Sequence, residues 1–184
     1  MRLGISWGFA VGCALGALSC KPDYDPPVYL ETEYQLRCLD CQPRTGDEPT
    51  REIAQLDGEF DMTIECAVSK ISGKRSLKLD VKHKDYGIRL NRVNIDDKAQ
   101  SSECEVQVVE GANTYRGTCT GDDPGEDTPC KVSFKRDGDT SIVKGSVYCD
   151  QITLLGAPSN YRYLVDPGTE EDAAKFEIHN CDGL

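Results

Sequence analysis

Hydrophobic and polar residues alternate along the chain from Glu59 onward. Between residues 59 and 68, one face of an extended chain would carry Phe60, Met62, Ile64, Cys66 and Val68. Polar or charged residues occupy the positions between them as far as Glu65. An α-helix, with 3.6 residues per turn, cannot separate these two sets, whereas a half-buried strand does so directly. The pattern predicts a strand from residue 59, with Phe60 facing inward.

The same alternation recurs at short intervals. It is clear in residues 77–82, 86–91, 104–108, 115–119, 130–134 and 142–149, and weaker in 161–165 and 175–181. Ser72-Gly73-Lys74 and Asp137-Gly138 are typical of the turns between such segments. Residues 29–58 show no comparable pattern, and 42–50 read as loop. The sequence therefore predicts an all-β fold over residues 29–184, an antiparallel sandwich or barrel of seven to nine short strands.

One hairpin can be predicted in register. Gly111-Ala112 suits a two-residue type II′ turn, whose twist matches that of the flanking strands. This turn places Glu110 opposite Asn113, Val108 opposite Tyr115, Val106 opposite Gly117 and Cys104 opposite Cys119. Opposed residues have Cα atoms about 4.5–5.5 Å apart, which allows a Cys104–Cys119 disulfide.

Composition narrows the class of protein. The chain has 184 residues, ten cysteines and a formal net charge of −11. Its length is that of one domain, and its acidity excludes nucleic acid as a partner, because phosphates require a basic face. Ten cysteines indicate an oxidising compartment and a fold stabilised by disulfides.

The first residues have the features of a secretory signal peptide. Arg2 precedes an uncharged stretch from Leu3 to Leu18, which is shorter than the roughly 20 residues of a membrane-spanning helix. Small residues follow at its end. This combination predicts a signal peptide at residues 1–19, removed from the mature protein.

The end of this segment, Ala17-Leu18-Ser19-Cys20, resembles the lipobox of bacterial lipoproteins, although Leu18 lies one position later than the family's usual leucine. The resemblance implies cleavage before Cys20, followed by acylation of Cys20 and insertion into the bilayer. In this family Lys21 after the cysteine is compatible with the outer membrane. The rest of the chain is similar in style to acidic, cysteine-rich envelope lipoproteins of delta-class Gram-negative bacteria, a likeness that carries no functional residues.

Cysteine parity supports lipidation. Cys13 leaves with the signal peptide, and acylation of Cys20 leaves an even set in which every thiol can pair. Its members are Cys38, Cys41, Cys66, Cys104, Cys119, Cys130, Cys149 and Cys181. Residues 20–28 then form an acylated, proline-rich tether ahead of the domain.

We expect all eight of these cysteines to be structural. Cys66, Cys104, Cys119, Cys130 and Cys149 share the inward parity of their predicted strands. If Cys104–Cys119 and Cys130–Cys149 form, the simplest remaining scheme pairs Cys38 and Cys41 with Cys66 and Cys181. A Cys38–Cys41 disulfide would instead leave Cys66 with Cys181, and would favour thiol–disulfide exchange at this CxxC motif. Zinc at the motif lacks a second ligand pair.

Other candidate chemistry is sparse. His83 and His179 lie in strand-like segments, and no motif supplies the nucleophile and orienting acid of a hydrolase, so we read both as surface residues. An acidic loop contains Asp122, Asp123, Glu126 and Asp127. It departs from the EF-hand spacing and reads as a solvated loop, with calcium as the alternative. We predict no cofactor.

The sequence thus predicts an envelope lipoprotein whose β domain is a non-enzymatic binding or structural module. Its expected partners are the bilayer, through acylated Cys20, and a protein or glycan that the sequence does not identify. The alternatives are an envelope thiol–disulfide protein using Cys38 and Cys41, and an extracellular hydrolase with an unrecognised site.

Overall fold

The structure is a computed structural model that describes residues 25–38, 46–71, 73–96, 101, 103–120, 129–138, 140–167 and 172–184. The described residues form strands and connecting turns, with no helix among them. The strands are β1 (Tyr29–Arg37), β2 (Arg51–Leu56), β3 (Thr63–Ile71), β4 (Lys74–Lys82), β5 (Tyr86–Asn94), β6 (Glu103–Glu110), β7 (Asn113–Thr120), β8 (Cys130–Arg136), β9 (Ile142–Leu154), β10 (Ala157–Val165) and β11 (Ala174–His179). The predicted all-β, disulfide-linked class is confirmed, with eleven strands instead of seven to nine.

All eleven strands belong to one antiparallel sheet. The main path of hydrogen-bonded neighbours is β10-β1-β11-β9-β7-β6-β5-β4-β3, with β2 paired to β1 and β8 paired to β9. From β3 to β7 the chain is a simple meander of adjacent hairpins. This meander accounts for the regular alternation in the middle of the sequence.

The long strand β9 organises the other half of the sheet. Its first part pairs with β11 on one edge and β8 on the other. Its last part pairs with β10 and, at Thr153 and Leu154, with β7. Strand β1 contacts the same two strands, β11 and then β10, on its own edge. Strands β10 and β11 therefore lie end to end between β1 and β9.

The carboxyl-terminal tail joins the two ends of this sheet. Asp182 forms a parallel bridge with Ala67 of β3. Its carbonyl oxygen accepts from the Val68 N–H at 2.7 Å, and its N–H donates to the Cys66 carbonyl at 3.0 Å. The adjacent Cys181 forms a disulfide with Cys66. Because β3 ends the strand order while the tail leaves β11 near the other end, these contacts close the sheet into a barrel.

The core fills the inner face of this barrel. Alternate residues of most strands are buried, and β8 also packs against β5 across the interior. Gly145 is required on this face, because a Cβ there would overlap the ring of Phe134. Phe134 and Phe176 pack on each other with ring centroids 5.8 Å apart.

Two strands and one boundary differ from the sequence prediction. Strands β1 and β2 were missed because their inner faces include polar residues, among them Thr32, Arg51 and Gln55, which weaken the alternation. The inward position predicted for Phe60 is wrong: its side chain is 76% exposed. Phe60 and Asp61 have φ of 50° and 58°, so they form a turn and β3 begins only at Thr63.

The predicted hairpin is confirmed. Strands β6 and β7 pair in the predicted register from Glu110 opposite Asn113 to Cys104 opposite Cys119. Gly111 has φ of +55°, as the first central residue of a type II′ turn requires. The Cys104–Cys119 disulfide forms, with Cα atoms 4.9 Å apart.

The disulfide scheme is partly as predicted. Cys130 and Cys149 are bonded, and the five cysteines expected to point inward are buried. The expected pairing of Cys66 and Cys181 with the CxxC cysteines is wrong, since they bond to each other. The tail bridge along β3 brings these two residues together, and sequence parity could not reveal it.

We predict that removing Cys66–Cys181 destabilises the protein more than removing Cys104–Cys119. The two bonds span 115 and 15 residues. The chain-entropy model gives about 4.8 and about 3 kcal/mol for loops of these lengths. Urea unfolding of Cys66→Ala/Cys181→Ala and Cys104→Ala/Cys119→Ala will measure the difference. Equal losses from the two variants would contradict closure by the tail.

Candidate functional site

The most buried carboxylate in the described part of the chain lies at the end of β6. Glu110 is 4% exposed, and the Arg51 Nε donates to both of its carboxylate oxygens at 3.1 Å. The Arg51 guanidinium also lies over the Tyr86 ring, 4.6 Å from the centroid. Because Arg51 belongs to β2 and Glu110 to β6, the ion pair connects strands that are distant in the sheet.

The electrostatics of this pair are balanced between burial and attraction. Burial raises the pKa of Glu110, and the hydrogen bonds from Arg51 oppose that rise. The bond to Glu110 raises the pKa of Arg51 in turn. Burial also raises the pKa of nearby Tyr34, whose hydroxyl has no hydrogen-bond partner among the described residues. We call Tyr34, Arg51, Tyr86 and Glu110 the Glu110 cluster.

A buried arginine lies on β10. Arg162 of β10 is 1% exposed, and its Nη1 donates to Asn160 Oδ1 at 2.8 Å and to the Tyr161 carbonyl at 2.9 Å. Its guanidinium lies 5.7 Å from the centroid of the Tyr115 ring. Arginines held against tyrosine rings thus occur on both β2 and β10: Arg51 is half-buried and Arg162 is buried.

A small trough lies on the outer face of β4–β6. It encloses about 270 Å³ and is lined by Asp80, Val81, Lys82, His83, Tyr86, Gly87, Ile88, Arg89, Gln107 and Val109. Glycine is required at position 87, since any Cβ there would overlap the Val81 carbonyl oxygen. The rings of His83 and Tyr86 pack together with centroids 4.5 Å apart.

Asp80 provides the charge of this trough. It is 5% exposed and accepts from Arg89 at 2.8 Å, with the Lys82 amine at 3.0 Å. Burial acts to raise the pKa of Asp80, but the hydrogen bonds from Arg89 and Lys82 outweigh it and lower the pKa. The trough therefore carries an ion-paired carboxylate that remains ionised at neutral pH.

A larger groove of about 480 Å³ runs along β1, β2, β9 and β11. Its lining residues are Glu31, Thr32, Glu33, Glu52, Ile53, Ala54, Lys144, Gly145, Asp166, Lys175, Phe176 and Glu177. Within it, the Lys144 amine lies 3.1 Å from Glu177. Carboxylates outnumber amines along the groove, so its field favours cationic groups.

The two histidines occupy different surfaces of the barrel. His83 lies in the turn between β4 and β5, where its Nδ1 accepts from the Asp85 N–H at 3.3 Å. His179 ends β11, with its Nε2 2.9 Å from Glu177 and its ring edge-on to Tyr29. The nearby Ser141 hydroxyl donates to Asn180 Oδ1. In the described ranges, neither imidazole is hydrogen-bonded to a hydroxyl or thiol.

Cys38 follows β1. Its N–H donates to Asp47 Oδ1 at 2.8 Å, and its thiol is in a disulfide. The other cysteines within the described residues pair with one another, so the partner of Cys38 lies outside that part of the chain. Cys20, Cys41 and the acidic-loop candidates Asp122, Asp123, Glu126 and Asp127 also lie outside the described residues.

The described residues contain no group of three or more His, Cys, Asp or Glu side chains placed to hold a metal ion. The same residues include no helix long and apolar enough to cross a membrane.

The Glu110 cluster was not predicted from the sequence, although the inward position of Glu110 could have been recognised. Glu110 shares the inward parity of Val106 and Val108 in β6, and a carboxylate at such a position needs a buried cation. The partner could not be named because β2, which carries Arg51, was not predicted as a strand.

Comparison with known proteins finds no matching family model, curated protein or solved structure.

We predict that Arg51→Met destabilises the protein by about 3–5 kcal/mol at pH 7, because it leaves Glu110 buried without its cation. Loss of Arg51 also removes the interaction that limits the rise in the pKa of Glu110, so this pKa should rise further. A carboxyl whose pKa is higher in the folded state binds protons more tightly when folded, so the deficit should shrink as the pH falls from 7 to 5. Urea unfolding at both pH values measures this, and the double variant Arg51→Met/Glu110→Gln should recover much of the loss. A deficit that does not change with pH would contradict the assignment.

Asp80→Asn should lower stability at pH 7 and reduce the sensitivity to acid. Since the pKa of Asp80 is lowered from 3.8 in the folded protein, its contribution is present above about pH 4 and is lost as the pH falls through the folded value. Thermal unfolding midpoints of the two proteins should therefore converge as the pH falls below the lowered pKa of Asp80. Parallel midpoint curves across the whole range would show that the carboxylate charge of Asp80 is not stabilising.

Proposed function

We propose that this protein is an outer-membrane lipoprotein, anchored through acylated Cys20, whose β barrel is a non-enzymatic binding or structural module. The observation that carries the anchoring is the cysteine pairing. Six cysteines form three disulfides among themselves, and Cys38, the seventh, is bonded to an eighth. Once Cys13 has left with the signal peptide, Cys20 and Cys41 remain. Pairing Cys41 with Cys38 leaves Cys20 as the thiol that acylation consumes.

The charged groups of the barrel support a binding or structural role over catalysis. Glu110 and Asp80 are the buried carboxylates of the described core, and each is held by an arginine of the same domain. The histidines are bonded to a carboxylate and to a backbone amide. Side chains that are paired within the domain in this way hold loops and surfaces in position. The trough and the acidic groove are surfaces that a partner could occupy.

Replacing Cys20 tests the anchor. We expect the mature protein to partition into detergent and to show by intact mass the addition of diacylglycerol and a further acyl chain at its first residue. Cys20→Ser should be released in soluble form or remain unprocessed, whereas Cys13→Ser, which alters only the signal peptide, should still be acylated. A mature chain that begins with an unmodified Cys20 would overturn the proposal.

One observation favours a second candidate, an envelope thiol–disulfide protein. Because Cys66 and Cys181 bond to each other, neither is available to the CxxC cysteines. A Cys38–Cys41 disulfide following β1 would then be the bond open to exchange.

Redox titration separates the two functions. Exchange chemistry requires that mild reductant release two thiols, mapped by mass to Cys38 and Cys41, at a potential well above the roughly −300 mV of structural disulfides. The other three disulfides provide the internal control. Release of all thiols together, only on unfolding, would exclude the redox function.

A further inference from the structure

Phe60 is presented to solvent in an unusual way. Of the large apolar side chains in the described core and turns, Phe60 and Leu155 are exposed, at 76% and 54%. Phe60 lies between β2 and β3 with φ of 50°, in the left-handed region that an aromatic residue rarely adopts. Glycine or asparagine would fit this turn with less strain. Strained backbone that directs a side chain outward is a reason to look for what the side chain contacts.

The turn holds Phe60 firmly. The Gly58 N–H donates to the Met62 carbonyl at 3.0 Å, and the Met62 N–H donates to the Glu59 carbonyl at 2.9 Å. Side chains secure both flanking strands: Asp57 accepts from the Ile64 N–H at 2.7 Å and Glu59 accepts from the Leu56 N–H at 3.2 Å. Phe60 is therefore fixed relative to the barrel.

The same turn contacts the end of the amino-terminal tether. The Asp57 N–H donates to the Val28 carbonyl at 2.8 Å. Asn180 of the carboxyl-terminal tail donates to the Pro27 carbonyl at 3.1 Å. The tether therefore leaves the barrel beside Asp57, which is three residues before Phe60 in sequence.

The tether is short. Val28 is eight residues after Cys20, a reach of about 25 Å for an extended polyproline conformation. A domain of this size has a radius of gyration of roughly 15 Å. A chain of that length keeps the side of the barrel that carries the tether close to the surface in which Cys20 is anchored.

We propose that Phe60 inserts into the boundary between headgroups and acyl chains of the membrane that holds Cys20, and so sets the orientation of the barrel on the bilayer. This inference rests on the proposed lipid anchor. Aromatic side chains favour that boundary. Asp57, Glu59 and Asp61 lie within three residues of Phe60 in sequence, so the contact suits zwitterionic lipid and is opposed by anionic lipid.

Tryptophan fluorescence can test this directly, because Trp7 is the only tryptophan and lies within the predicted signal peptide. Phe60→Trp gives the mature protein a single reporter, and Leu155→Trp in the turn between β9 and β10 is the matched control. Both acylated variants are bound to phosphatidylcholine vesicles that contain brominated acyl chains. We expect blue-shifted emission and quenching for Phe60→Trp, and neither for Leu155→Trp.

The outcomes distinguish the inference from the anchor. If both variants float with the vesicles but are quenched equally, the anchor stands and the role of Phe60 is overturned. If neither variant floats and Cys20 carries no acyl group, the anchor fails and this inference fails with it. Partial replacement of phosphatidylcholine by phosphatidylglycerol should weaken the quenching of Phe60→Trp at low salt. Salt at about 0.5 M should restore the quenching, because the Debye length then falls to a few ångströms. Stronger quenching on anionic vesicles would contradict the charge argument.

A third variant separates lipid contact from a structural role. Phe60→Asn keeps a residue that tolerates positive φ and removes the ring. We expect Phe60→Asn to be at least as stable as the parent. If Cys20→Ser is secreted, the comparison is between melting temperatures on that background in detergent-free solution. Otherwise, hydrogen exchange of the acylated proteins on vesicles compares their stabilities. A marked decrease would show that the ring stabilises the barrel, and would overturn the proposal.

Discussion

The rest of this structure depends on the closure of its sheet by the carboxyl-terminal tail. An open sheet of this size leaves two edges of unpaired N–H and C=O groups, which invite pairing with other chains. Here the Asp182 backbone satisfies one N–H and one C=O group of β3. The Cys66–Cys181 disulfide holds it there, linking residues 115 apart in sequence.

The polar interior of β1 and β2 determines how the remaining wall is attached. A barrel lined only with aliphatic residues could slide in register, since burial is not directional. The ion pair between Arg51 and Glu110 is directional, because two hydrogen bonds must form together. Such a pair adds little to stability compared with an apolar replacement, and its effect is to specify one arrangement of β2 against β6.

Residues of the meander were readable from sequence because each of its strands has one apolar and one polar face. The register of β6 and β7 followed from Gly111 alone, and the buried cysteines followed from parity. The pairing of Cys66 with Cys181 was not readable, since the tail bridge is a long-range contact with no local pattern. Strand β2 was hidden for a different reason: its inward residues include Arg51 and Gln55, which a binary pattern assigns to the surface. The Glu110 cluster was lost with it.

The first residues of the domain, Pro27 and Val28, lie beside the carboxyl-terminal tail. Pro27 and Val28 accept hydrogen bonds from Asn180 and Asp57. Asn180 also donates its N–H to Ser141 at the start of β9, and is followed by the disulfide at Cys181. The residues that close the barrel are therefore the ones that fix where the tether leaves it. If the protein is anchored through Cys20, as we propose, these hydrogen bonds constrain the orientation of the barrel relative to the anchor, because they hold Pro27 and Val28 on the domain.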